Sequence, residues 1–186
     1  IEFKQTWRPF QLNPGMPPDG MDRQEYLISK FGSADAAKTI YDNIYDEGLL
    51  EGINFNFDFI QTTPNSFNSH RLLALAYKQG IQENVLDSLF ESYFLNGEDI
   101  GDPNILLDIA IKHQIDAEDF KTYLSDQENI EPLANEEIEA RKMGINSVPT
   151  FIVNKQIVIN GAQTSENFDI IFKKLCLLYT SDAADE

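Results

Sequence analysis

The hydrophobic period of this chain changes once, and that change constrains the fold more than any bulk property. Between Asp22 and Met143 apolar residues recur at helical spacing, clearest in Val85, Leu86, Leu89, Phe90, Tyr93 and Phe94. From Thr150 onward the pattern is β-branched. Residues 150–153 and 156–159 read as two strands of a hairpin turned at Asn154-Lys155, and Gly161 stops the second. Ser165 is placed to cap a last helix with Phe168, Ile171, Phe172 and Leu175 on one face. At the front, Ile1, Phe3, Gln5 and Trp7 alternate with polar residues as in a strand, and a loop of four prolines and two glycines (residues 9–20) follows. The predicted order is therefore strand, long helical block, hairpin, helix. Roughly 120 helical residues between one strand and a hairpin predict a helical subdomain set into a small α/β scaffold.

Within the block, Asp22 with Glu25 forms a capping-box start for a helix ending at Gly32, and a second helix runs from Ser33 to Gly48 or Gly52. Residues 54–64 read as a loop anchored by Phe55, Phe57 and Phe59. Asp102-Pro103 pairs a cap with a first-turn proline, Asp116 caps a short helix, and residues 135–143 read as one more.

Charge and residue inventory remove several function classes. The 186 residues carry 14 basic and 31 acidic side chains, a net charge of -17. Nucleic acid and anionic membrane surfaces would be repelled over most of such a surface, and no apolar run approaches bilayer-spanning length. His70 and His113 stand far apart, and Asp99-Ile-Gly-Asp102 lacks the ligand count of a calcium loop, so no metal site is expected. Cys176 is the single cysteine, which rules out an internal disulfide.

Both ends look non-native. Residues 176–186 closely resemble a translated transposon-based sequencing adapter, and are excluded from fold reasoning. Ile1 is not a methionine and opens in mid-strand, so the native start is expected upstream.

The sharpest local feature is Gly144-Ile-Asn-Ser-Val-Pro-Thr-Phe151, where a helix ends at glycine and Val148-Pro149 leads into a strand. A cis Val148–Pro149 bond would leave the Val148 backbone groups to pair with an extended peptide or with glutathione. The motif alone favours an ordinary trans proline starting an edge strand, since only about 5–6% of X-Pro bonds are cis.

Gly-x-x-x-Val-Pro-Thr-Phe ahead of a hairpin resembles the cis-proline loop of thioredoxin-fold oxidoreductases. Trp7-Arg-Pro-Phe-Gln-Leu-Asn-Pro14 with Met16-Pro-Pro18, Pro64-Asn-Ser66 with His70-Arg-Leu72, Tyr93-Phe94 with Asp99-Ile-Gly-Asp102, and Gly161-Ala-Gln163 are similar, in order, to the FrnE-like branch of the DsbA family. The resemblance runs from about Ile1 to Leu175. It implies a thioredoxin-like α/β fold with a large helical insertion, built from residues 1–20 and 144–175 around an inserted subdomain at 21–143. It also implies a first strand, a Cys-x-x-Cys and a first helix, none of which this sequence contains, so no catalytic residue can be assigned and the chain reads as an inactive fragment. The missing strand would lie between the opening strand and the hairpin. The activity implied is dithiol–disulfide oxidoreductase or isomerase on protein or small-molecule disulfides, with no cofactor and a cytoplasmic setting. The substrate-binding candidates are Val148, Pro149, Thr150, Asn13, His70, Ala162 and Gln163. By local pattern alone His70 reads first as helix-start structure, Asn13, Ala162 and Gln163 as loop and capping structure, and His113 as a partner for a helix C-terminus. Hydroxychromene-carboxylate isomerases and kappa-class glutathione transferases share the architecture, with a serine for the first cysteine and glutathione as co-substrate. They are the alternative, beside a non-catalytic binding module. The sequence sets no oligomeric state.

Overall fold

The computed structural model describes residues 4–182, with side chains described through Leu175. Contacts divide the chain into two compact units, Ile1–Ala140 and Arg141–Glu186.

The first unit is helical. A two-residue strand β1 (Met21–Asp22) runs into α1 (Arg23–Phe31), and α2 (Ala34–Leu50) follows after a tight corner. Asp22 caps α1 by accepting from the Gln24 and Glu25 N–H groups, and Gly32, in the left-handed region at φ 86°, closes it by donating to the Ile28 carbonyl. Ser33 caps α2 through the Ala36 N–H. The aromatic loop contains a structure absent from the sequence reading: β2 (Thr62–Thr63) pairs antiparallel with β1, Met21 opposite Thr63. Its aromatic anchors do pack, with Phe55 and Phe57 stacked at 5.0 Å and Tyr41 edge-on to Phe57 at 4.8 Å.

Four helices form the main core: α3 (Phe67–Lys78), α4 (Gln82–Phe90), α5 (Pro103–Lys112) and α6 (Ala117–Ser125). Leu72 and Ala76 of α3, Val85 and Leu89 of α4, Leu106 and Ile109 of α5 and Phe120 of α6 are buried together. The single helix expected over residues 85–94 is instead α4 followed by a π-helical turn, Glu91–Leu95. The wider turn aims backbone groups at two other segments: the Phe94 carbonyl accepts from Asn56 N–H (2.8 Å) and the Ser92 carbonyl from Glu98 N–H (2.8 Å). Asp102 and Asp116 cap α5 and α6 as expected. Next, α7 (Ile130–Lys142) begins five residues before the predicted 135, because apolar spacing marks its buried face and not its first turn.

The opening strand is corrected. Residues 1–3 lie outside the described residues, and Lys4–Arg8 form no strand. No strand among the described residues lies beside them, and a β pattern without a ladder partner does not become a strand. The Trp7 backbone is paired all the same: Gln82 Oε1 accepts its N–H and Gln82 Nε2 donates to its carbonyl, both at 3.0 Å.

In the second unit, β3 (Thr150–Val153) and β4 (Ile157–Asn160) pair antiparallel with Thr150 opposite Asn160, one residue later in β4 than the sequence pattern indicated. The turn has three residues: Asn154 and Lys155 both take positive φ (52° and 59°), and Gln156 N–H closes it on the Val153 carbonyl. Then α8 (Ser165–Asp182) lays Phe168 edge-on to Phe151 at 4.9 Å and stacks it on Phe172 at 5.6 Å. Its cap is Thr164, not Ser165: Thr164 Oγ1 accepts from Asn167 N–H and its carbonyl from Phe168 N–H. The Cys176 side chain and residues 183–186, within the segment expected to be non-native, lie outside the description.

Candidate substrate-binding site

The sequence candidates of the second unit come together at one end of its hairpin. The Val148–Pro149 peptide is cis. Pro149 C=O accepts from Gly161 N–H at 2.8 Å, which fastens the loop to the residue that ends β4. Gly161 makes that approach at φ 79°, the left-handed region that glycine enters freely. Thr150 Oγ1 donates to the Ser147 carbonyl (2.8 Å) and reaches Asn160 Oδ1 (3.2 Å), so the two arms are tied twice. Inside this frame Val148 is 46% exposed, and its N–H and C=O make no hydrogen bond among the described residues. Thr150 therefore fixes the loop beside Pro149, and Val148 keeps one backbone donor and one acceptor out of the chain's own hydrogen bonds, the pairing unit of an extended chain.

Ala162 is exposed beside this frame and Gln163 is used within it. Gln163 Nε2 donates to the Asn160 carbonyl (3.1 Å), and its Oε1 accepts from Asn167 Nδ2 (3.4 Å). The N-terminus of α8 is satisfied from within as well. Glu166 accepts from its own backbone N–H and from Thr164, which holds its carboxyl below the usual range.

In the first unit, Asn13 Nδ2 donates to the Tyr26 hydroxyl at 2.7 Å, joining the proline loop to α1. His70 sits in the first turn of α3, partly buried, with Nε2 3.5 Å from Ser66 Oγ. Burial lowers its pKa to about 4, and the nearby Glu137 carboxylate offsets this in part, so the imidazole is neutral at pH 7. His70 lines a cleft of about 280 Å³ with Trp7, Leu73, Tyr77, Tyr123 and Leu133. His113 is the C-cap of α5, and its Nε2 lies 2.8 Å from Ser88 Oγ.

Asn65, to which the sequence pattern assigns no role, does more than its neighbour Ser66. Its Oδ1 accepts from Phe67 N–H (3.0 Å) and Gln11 Nε2 (3.1 Å), while its Nδ2 donates to the Met16 carbonyl (2.8 Å). One side chain therefore caps α3 and pins the proline loop. Asparagine two residues before a helix is the signal that would have identified it. Ser147 and Asn160, which brace Thr150, carry no such signal, because their role depends on hairpin register.

No curated protein matches the chain. Among solved structures it is similar to the crystal structure of a probable DsbA oxidoreductase from Streptomyces coelicolor, with 26% identity and a TM-score of 0.80 over 90% of this chain and 73% of that one. The model of the DSBA-like thioredoxin domain matches residues 2–172. The fold is the thioredoxin-like fold of that family, many helices with small sheets. With nearly its whole length matched, the chain belongs to the DSBA-like thioredoxin domain family.

Proposed function

We propose that this chain carries the substrate-holding part of a thiol–disulfide oxidoreductase of the FrnE-like branch, acting on disulfide-bearing polypeptides. The observation that carries the reading is Val148, an exposed residue whose backbone N–H and C=O make no hydrogen bond among the described residues, in a loop fastened by Thr150 and Gly161. An extended substrate pairs with Val148 as a strand would, which holds its disulfide in a fixed register.

The exchange itself needs two thiols. A thiolate attacks one substrate sulfur, the substrate S–S bond breaks, and the other substrate sulfur leaves as a thiolate. A second enzyme thiolate then attacks the mixed disulfide, leaving the enzyme pair oxidised and the substrate reduced by two electrons. Cys176 is the single cysteine in the sequence. The dithiol must therefore come from residues outside these 186, and the chain alone contributes binding without turnover. The glutathione-dependent alternative is weaker, because Gln163 and the first turn of α8, which would receive a tripeptide carboxylate, bond within the chain.

Reading the coding sequence upstream of the Ile1 codon tests the assignment. A Cys-x-x-Cys there, and insulin reduction by the protein that includes it, would support the oxidoreductase. A serine at the first cysteine position would move the protein to glutathione chemistry. The chain of 186 residues by itself should show no insulin reduction above background.

A further inference from the structure

We propose that the His70 cleft of the first unit is a binding site for a small monocarboxylic acid with an apolar body. The inference is independent of the redox reading, because it rests on a different set of residues.

The walls fix the body. Trp7, Leu73, Tyr77, Tyr123 and Leu133 present rings and branched carbons around about 280 Å³, close to the lower end of small-molecule pockets at roughly 300 Å³. That space suits one ring or a short chain.

The charges fix the polar end. On a chain of net charge -17, this cleft is lined by two cations and one carboxylate. Arg8 is already paired with Glu136 at 3.1 Å. Lys78 has no ion pair among the described residues, and its ammonium stands 5.1 Å from the centre of the Tyr123 ring. The other polar lining groups offer no competing charge. Gln82 spends its amide on the Trp7 and Leu73 backbone, and His70 is neutral. An anionic head on Lys78 with an apolar body against Trp7 and Tyr123 therefore complements the cleft in both sign and polarity. A cationic head would meet Lys78, and a neutral one would leave it unpaired.

Trp7 is the only tryptophan, so its emission reports occupancy of this cleft directly. The full chain is titrated at pH 7 with phenylpropionate, phenylpropanol and phenylpropylamine, three heads on one body. Phenylpropionate should bind about two- to fivefold more tightly than the alcohol, the scale of an ion pair on an exposed lysine, and the amine most weakly. Lys78→Gln should abolish the preference for the acid while leaving the helical circular dichroism intact. Ala74→Met, which fills the cleft from α3, should remove the response to all three. Equal affinities, a tighter amine, or no emission change at millimolar concentration would overturn the proposal. So would a response to extended peptides alone, which would make the cleft a polypeptide groove.

Discussion

His70 provides the most direct test of the electrostatics. Its folded-state pKa of about 4 lies below the 6.5 of an unconstrained histidine, because burial in the first turn of α3 penalises the imidazolium. The sign follows from proton counting. Above pH 6.5 both folded and unfolded chains hold a neutral imidazole and the group contributes nothing to the pH dependence. As pH falls through 6.5 the unfolded chain takes up a proton that the folded chain refuses, so stability falls. The loss is complete near pH 4, where the folded state binds the proton too. The whole span corresponds to about 3 kcal/mol, and the step from pH 7 to pH 5 to about 2 kcal/mol. Carboxylates titrate in the same region, so the useful quantity is the difference between the native chain and His70→Gln, which keeps a polar side chain but cannot titrate. Urea unfolding at the two pH values should show His70→Gln gaining about 2 kcal/mol relative to the native chain on going to pH 5. The imidazole can also be followed directly by NMR, with His113→Asn to assign the two resonances. A stability difference that does not move with pH, together with a His70 titration midpoint near 6.5, would refute the reasoning.

Other perturbations have equally definite signs. Lys155→Gly should stabilise the hairpin by about 0.5–1 kcal/mol, because Lys155 holds φ 59° in a region costly to residues with a Cβ; thermal or urea unfolding reads the gain. Gly97→Ala should cost more than about 2 kcal/mol, since Gly97 has φ 71° and a Cβ there would stand 2.6 Å from the Phe59 backbone. Arg71→Lys should cost about 2–3 kcal/mol in urea unfolding despite keeping the charge. The guanidinium fork of this buried residue donates to the Leu124, Tyr123 and Asp126 carbonyls at the end of α6, a geometry an ammonium cannot reproduce.

The parts of the fold that were legible in the sequence are those written in local chemistry. Asp22, Ser33, Asp102 and Asp116 announce helix starts because the capping group and its target N–H are two or three residues apart. Three features were misread because their determinants lie far away in sequence. The β1–β2 pair joins Met21 to Thr63, and two-residue strands carry no periodicity. The π turn at residues 91–95 interrupts an unbroken helical pattern, and its partners, Asn56 and Glu98, lie in loops. Lys4–Arg8 show the converse: alternation is present, but the backbone of Trp7 pairs with a glutamine side chain of α4.

The candidate site divides along the same line. Val148, Pro149 and Thr150 were identifiable because a helix-stopping glycine, a proline and a β-branched run stand in one short segment. Family resemblance, rather than local pattern, brought Gly161, Ala162 and Gln163 alongside them. The structure then separates these residues by what their polar groups are doing. Gly161 and Thr150 have used theirs to fasten the loop, Gln163 has used its side-chain amide on Asn160 and Asn167, and the exposed Val148 and Ala162 make no backbone hydrogen bond among the described residues. A substrate can pair with a group that makes no internal bond at little cost, but for one held within the chain it must first break an internal bond. The frame thus leaves Val148, with Ala162 beside it, open to binding while Thr150, Gly161 and Gln163 hold its two arms together, a division of labour that a residue-by-residue motif cannot express.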